Sequence, residues 1–248
     1  MQISAVIITK NEAHIIGRTL ESLSGLVDDI VIVDSGSTDD TLTICKQFNA
    51  DIIQTSWDGY GINKNKGIDA AKHNWILNID ADETIDDELK QTILDLALQK
   101  EEEVFEIRFK NFFCEKWIRF GEWGFDKHIR LFNRNKVRWN TAAVHESLQL
   151  PEKVTVTQLK GSILHYTTHS REEFNNKTIS YAQLNAEKYF QQGKKVNSFK
   201  QYLSPVFSFI QNYFFKLGFL DGREGFIIAK ATAQYTFLKY KYLAEKTL

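Results

Sequence analysis

Residues 3 to 9, ISAVIIT, are apolar almost throughout, and the apolar positions that follow, Ile15, Ile16, Leu20 and Leu23, recur at helical spacing. The pattern predicts a strand and then a helix over residues 11 to 24, with Asn11 as a candidate cap. The same cycle returns three times. Strand 30 to 34 (IVIVD) leads through Ser35-Gly36-Ser37 into a helix from Thr38 to Phe48. Strand 51 to 54 leads through a loop into a helix from Asn63 to Ala71, and a fourth strand covers Trp75 to Ile79. Strands that are apolar on both sides and alternate with amphipathic helices imply an α/β fold, with a mostly parallel sheet covered by helices on both faces. Ligands bind such sheets beyond the carboxyl ends of the strands. Thr9 to Glu12, Asp34 to Asp39 and Asp80 to Glu83 all fall at those ends, which predicts one shared site.

After a helix near Asp86 to Gln99 the pattern changes. Residues 103 to 113 (EVFEIRFKNFF) alternate as an antiparallel strand does, and residues 128 to 134 and 154 to 165 read as further strands, giving a mixed sheet. A helix is predicted from Arg171 to Phe190, and from Phe199 onward the chain has helical spacing but is crowded with aromatics. No internal repeat or low-complexity segment interrupts this order.

Composition adds one asymmetry. The formal net charge is −1 over 248 residues, but residues 194 to 248 carry nine Lys or Arg against three acids and 13 aromatic residues. That tail is +6 and the remainder −7. It reads either as amphipathic helices lying on an anionic membrane face or as helices packed on the rest of the protein or in a dimer. No run of about 18 apolar residues argues for a spanning helix. Cys45 and Cys114 lack metal-ligand spacing and read as free thiols in a reducing compartment. With no basic leader before Ile3, the expectation is a cytoplasmic protein, with the tail able to lie on the inner face of the membrane.

The candidate chemistry centres on Asn78-Ile79-Asp80-Ala81-Asp82-Glu83. The helix dipole accounts for acids in the first turn of the following helix, Asp86, Asp87 and Glu88, but not for Asp80, which closes an apolar strand. Residues i and i+2 of an extended chain point the same way, so Asp80 and Asp82 can present carboxylates together. Hard oxygen ligands at this spacing suit Mg²⁺ or Mn²⁺ held jointly with substrate phosphates. Asp34 ends its strand before SGSTDD. It either supports that turn or accepts the N–H of a base or the hydroxyls of a ribose. The phosphate-loop pattern GxxxxGK[ST] is absent.

The order VIITKNE (6 to 12), IVDSGSTD (32 to 39) and LNIDADE (77 to 83) resembles the nucleotide-binding half of glycosyltransferase family 2. GEWGFDKHIRLFNR (121 to 134), Val144-His145-Glu146 and Ile163-Leu164-His165-Tyr166 are similar to the branch that includes lipopolysaccharide core β-glucosyltransferases. The resemblance implies a GT-A fold over residues 1 to 190, divided into a nucleotide-binding half (1 to 100) and an acceptor half (101 to 190), with a helical extension over 191 to 248. It implies a metal-dependent, inverting transfer of a hexose, glucose by preference, from a UDP-sugar to a saccharide or glycolipid acceptor. Thr9 and Glu12 would line the nucleoside pocket, Asp34 would contact the base, and Lys64 would approach uracil or phosphate. Asp80 would face ribose or metal, Asp82 would ligate the metal, and His165 would complete its site or else be structural.

Inversion also needs a general base for the acceptor hydroxyl. The resemblance implies Glu146 as the first candidate, with Asp126 the rival unless Asp126 pairs with Arg130 as structure. Trp117, Trp123 and Trp139 could stack on sugar rings or fill the core. A sugar nucleotidyltransferase would carry a Gly-rich, Arg-containing loop where this chain reads TKNEAH. A non-catalytic nucleotide-sugar-binding protein at the membrane is the other alternative.

Overall fold

The computed structural model describes residues 2–141 and 147–247. Two compact units interleave along the chain: Met1–Phe109 with Lys127–His165, and Lys110–Asp126 with Tyr166–Leu248.

In the first unit, β1 (Ile3–Thr9), α1 (Ile16–Leu23), β2 (Asp29–Asp34), α2 (Thr41–Gln47), β3 (Asp51–Gln54), α3 (Tyr60–Ala70) and β4 (Trp75–Asp80) follow in the predicted order. Then come β5 (Glu83–Ile85), α4 (Asp87–Leu94) and β6 (Glu103–Phe113). The sheet order is β3-β2-β1-β4, with β1 parallel to both β2 and β4. A short β7 (Lys116–Trp117) pairs with the end of β6 in the second unit, and β8 (Lys127–Asn133) then runs antiparallel to β4. Arg138–Trp139 and Leu148–Gln149 form a separate two-stranded ribbon, β9 and β10. The sheet is completed in the order β8-β6-β11-β5, where β11 is Thr155–Thr168.

All seven residues of β1 are buried, as a strand covered on both faces requires. The pleat sorts its side chains. Ile3, Ala5 and Ile7 join Ile16, Leu20 and Leu23 of α1 and Leu89 and Ile93 of α4, whereas Val6 packs with Ile68 of α3. Helix α3 comes so close to the sheet that a Cβ on Gly67 would stand 2.5 Å from Val6 Cγ1 and 2.9 Å from Val33 Cγ2, so only glycine fits there.

Some boundaries differ from those the sequence predicts. The α1 helix starts at Ile16, and Asn11 does not cap it; Asn11 is left-handed (φ 57°) and turns its side chain to Thr38. Neither Thr38 nor Asp39 opens α2, which begins at Thr41. Asp86, expected in the first turn of α4, is instead its cap, accepting the Leu89 N–H at 2.9 Å, and only Asp87 and Glu88 lie in that turn. Glu83 belongs to no helix start but to β5, opposite His165 of β11.

The second unit is mainly helical: α5 (Arg171–Gln191), α6 (Ser198–Ile210), a π-helical turn over Gln211–Phe215, a 3₁₀ turn over Gly218–Asp221, and α7 (Gly222–Thr247). Phe113, Ile118 and Ile228 form one core there, and Ala186, Tyr240 and Leu243 another. Among the described residues no helix is long and apolar enough to cross a membrane.

At the amino ends of the parallel strands, the fully buried Asp29 carboxylate accepts the Ser4 hydroxyl at 2.5 Å and the Lys72 N–H at 2.8 Å, with Lys72 Nζ 3.2 Å away. Burial alone would raise its pKa, but the Ser4 and Lys72 contacts outweigh burial and lower it from the usual 3.8. A lowered folded-state pKa means that this contribution is complete above pH 3.8 and is lost as pH falls through the folded value. Asp29→Asn is expected to cost about 2 to 4 kcal/mol at neutral pH in urea denaturation. The difference from wild type should shrink as the pH falls below the carboxylate range.

Candidate active site

The carboxyl ends of β1 and β2 are laced together by side chains that follow each strand. Asn11 accepts the Thr38 N–H at 2.8 Å, and its own N–H donates to Ser37 Oγ at 2.9 Å. The Glu12 N–H donates to Thr41 Oγ1 (2.8 Å) and the Ala13 N–H to Asp39 Oδ2 (3.1 Å). Asparagine tolerates the left-handed backbone at position 11, which lets one residue turn the chain and supply an acceptor. Asp34, fully buried, accepts the N–H groups of Gly36 (3.1 Å) and Ser37 (3.0 Å) and the Ser37 hydroxyl. Thr9 is buried beside this turn, and its hydroxyl has no hydrogen-bond partner among the described residues.

At the end of β4 three carboxylates meet Lys64, Arg130 and His165. Asp80 lies 3.2 Å from Lys64 Nζ and 3.3 Å from Arg130 Nη2, and its N–H donates to Glu83 Oε2 at 3.0 Å. Glu83 takes Arg130 Nη2 at 2.5 Å and is buried. Asp82 Oδ2 faces His165 Nε2 at 3.5 Å. Lys64, buried on α3, also lies 4.5 Å over the Trp139 ring, and Arg130 lies 5.1 Å from the Phe109 ring centre.

Electrostatics separates these groups. Burial raises the Asp80 pKa, but Lys64 and Arg130 overcome it and hold the carboxyl well below the usual range. Burial pushes the Glu83 carboxyl up despite Arg130, and Asp80 adds to the effect. Burial works against the His165 proton, yet Asp82, with Glu83 and Asp80, outweighs it and raises the pKa. Cys45, close to this region, is pushed up to about 11 by burial and by Asp34, so it stays a thiol.

The model of the family described as "Glycosyl transferase family 2" matches residues 4–150, more than half the chain. The chain belongs to glycosyl transferase family 2. An uncharacterised glycosyltransferase of Rickettsia felis is 32% identical over 259 aligned positions, covering 100% of this chain and 91% of the relative. The lipopolysaccharide core biosynthesis glycosyltransferase LpsC of Rhizobium meliloti is 29% identical, covering 96% of this chain and 90% of LpsC. Among solved structures, S. aureus TarS 1-349 in complex with UDP-GlcNAc superposes at a TM-score of 0.49 and 17% identity, over 100% of this chain and 91% of that one.

In this glycosyltransferase Thr9, Glu12, Asp34, Lys64, Asp80, Asp82 and His165 all belong to the first compact unit. Asp126 belongs to the second, where it accepts the Asn111 amide at 3.2 Å. Arg130, the alternative partner for Asp126, directs Nη2 at Asp80 and Glu83. Glu146 and His145 lie outside the described residues. The Trp117 ring centre lies 5.6 Å from Lys110 Nζ and 4.7 Å from the Arg119 guanidinium, and Trp123 packs on Phe113 and Phe174. Among the described residues no three His, Cys, Asp or Glu side chains converge to cage a metal ion. Asp82 and His165 offer one carboxylate and one imidazole, a donor pair that fits a divalent ion shared with substrate phosphates. Asp80 is instead committed to Lys64 and Arg130.

Sequence reasoning assigned no role to Glu83 and none in this cluster to Arg130. Truncating one member of a buried pair strands the other charge. Glu83→Ala is therefore expected to destabilise the enzyme by about 3 kcal/mol or more in urea unfolding. The double variant Glu83→Leu with Arg130→Met should recover most of that loss.

Proposed function

We propose that this family 2 glycosyltransferase moves a hexose, glucose by preference, from a UDP-sugar to a saccharide or glycolipid acceptor of the lipopolysaccharide-core kind, with inversion and with a divalent metal ion. The observation that carries the reading is the pairing of Asp82 with His165 beside an Asp80 already neutralised by Lys64 and Arg130, at the carboxyl ends of a parallel sheet. The family match and the similarity to LpsC support the reaction class and the acceptor class.

Asp82 and His165 would hold Mn²⁺ or Mg²⁺, which when bound neutralises charge on the departing diphosphate. Asp80, with two cations on its carboxylate, is left to accept ribose hydroxyls. Lys64 stands beside it, where it would approach uracil or phosphate. Thr9, Glu12 and the turn held by Asp34 would frame the nucleoside, and the Thr9 hydroxyl, without a hydrogen-bond partner among the described residues, offers a buried polar group to it. In the transfer, the acceptor oxygen forms its bond to the anomeric carbon as the bond from that carbon to the phosphate oxygen breaks. The electron pair leaves with UDP, and the acceptor proton passes to a carboxylate, Glu146 first and Asp126 as its rival.

The test is donor hydrolysis and transfer with UDP-glucose in Mn²⁺, in Mg²⁺ and in EDTA. Asp82→Ala should lower turnover about a hundredfold or more, and EDTA should abolish it. Full activity in either case would refute the metal assignment. Glu146→Gln should lose about 10²- to 10⁴-fold in turnover while titration calorimetry still detects UDP-glucose binding. A comparable loss in Asp126→Asn, with Glu146→Gln active, would move the base to Asp126.

A further inference from the structure

Helix α6 is turned the wrong way for a helix of a compact protein. Phe199, Tyr202, Leu203, Val206, Phe207 and Ile210 follow helical spacing and form one continuous apolar stripe, and all six are exposed, Phe199 at 73% and Phe207 at 62%. The covered side carries Gln201, Ser204, Pro205, Ser208 and Phe209; the Phe209 ring packs on Tyr213 and Phe226, and the Ser208 hydroxyl meets Thr236 of α7 at 3.5 Å. The stripe continues past the helix: Phe214, Phe215, Phe219 and Leu220 in the two turns, and Phe226 on α7, are exposed as well, Phe215 at 75%. Contiguous apolar surface of this extent marks an interaction site.

Charge selects the occupant. Lys200, Lys216, Arg223 and Lys230 interleave with the exposed aromatics, and no carboxylate among the described residues pairs with them. The only acids in residues 198 to 230 are engaged elsewhere. Asp221 is buried and accepts the N–H groups of Arg119 and Phe120, and Glu224 pairs with Lys116 at 2.9 Å. A second copy seated on this face would bring the same unpaired cations against each other. An anionic lipid surface would compensate them while taking up the rings, and long lysine stems reach headgroups from an embedded position.

We propose that the stripe of α6 with the Phe214–Leu220 turns is an interfacial membrane-binding face selective for anionic lipid. It inserts side chains without spanning the bilayer. Binding needs no donor or acceptor, so it is scored separately from transfer and stands or falls apart from the reaction proposed above.

The test is flotation of the full chain with vesicles of equal parts phosphatidylcholine and phosphatidylglycerol, against phosphatidylcholine alone. The chain should float with the first only and be released by high salt. Phe207→Ser with Phe215→Ser should lower partition about tenfold or more, and Lys216→Glu about fivefold or more, with circular dichroism unchanged. A wild-type chain that does not bind anionic vesicles overturns the proposal, as does full binding by both variants. So does light scattering that finds a dimer which the serine variant makes monomeric, since that gives the face to a second copy.

Discussion

The site depends on how the end of β4 is neutralised. Asp80, Asp82 and Glu83 crowd one strand end, and burying such charges without partners is prohibitive. The antiparallel pairing of β8 with β4 sets Leu77 opposite Leu131 and so brings Arg130 up to the carboxylates. Lys64 arrives from α3 on the other side, and α3 can approach that closely because Gly67 has no side chain. The cluster joins β4, β5, β8, β11 and α3, and local changes in any of them would leave an unpaired charge.

That neutralisation divides one acidic motif into three roles. Glu83 holds Arg130 and the Asp80 N–H, which fixes the turn between β4 and β5. Asp80 sits between two cations. Asp82, partly exposed and facing the His165 imidazole across 3.5 Å, keeps the capacity to meet a ligand. The laced loops after β1 and β2 add rigidity, because hydrogen bonds from Asn11, Ser37, Thr38 and Asp39 satisfy backbone groups that a loop would otherwise leave to water.

The aromatic residues of the second unit fall into two populations that their number alone does not separate. Phe113, Trp123 and Phe174 meet edge to face or tilted in a core. Of those on α6 and the turns after it, Phe209 and Tyr213 are half-buried and stack on each other, whereas Phe199, Tyr202, Phe207, Phe214, Phe215 and Phe219 face outward.

By itself the sequence determined the β/α order of the first hundred residues, the strand ends that carry polar clusters, the acidic start of α4, and the family. These rest on local periodicity, cap chemistry and motif order, which neighbouring residues encode. The tertiary structure alone decided which carboxylate each cation meets. Arg130 lies 50 residues from Asp80 and 47 from Glu83, and no local pattern records a pairing made by sheet register. It also decided that Asn11 turns the chain instead of capping α1, that the compact units interleave, and that α6 shows its apolar side. Spacing identifies a helical face, but only packing fixes the direction in which it points.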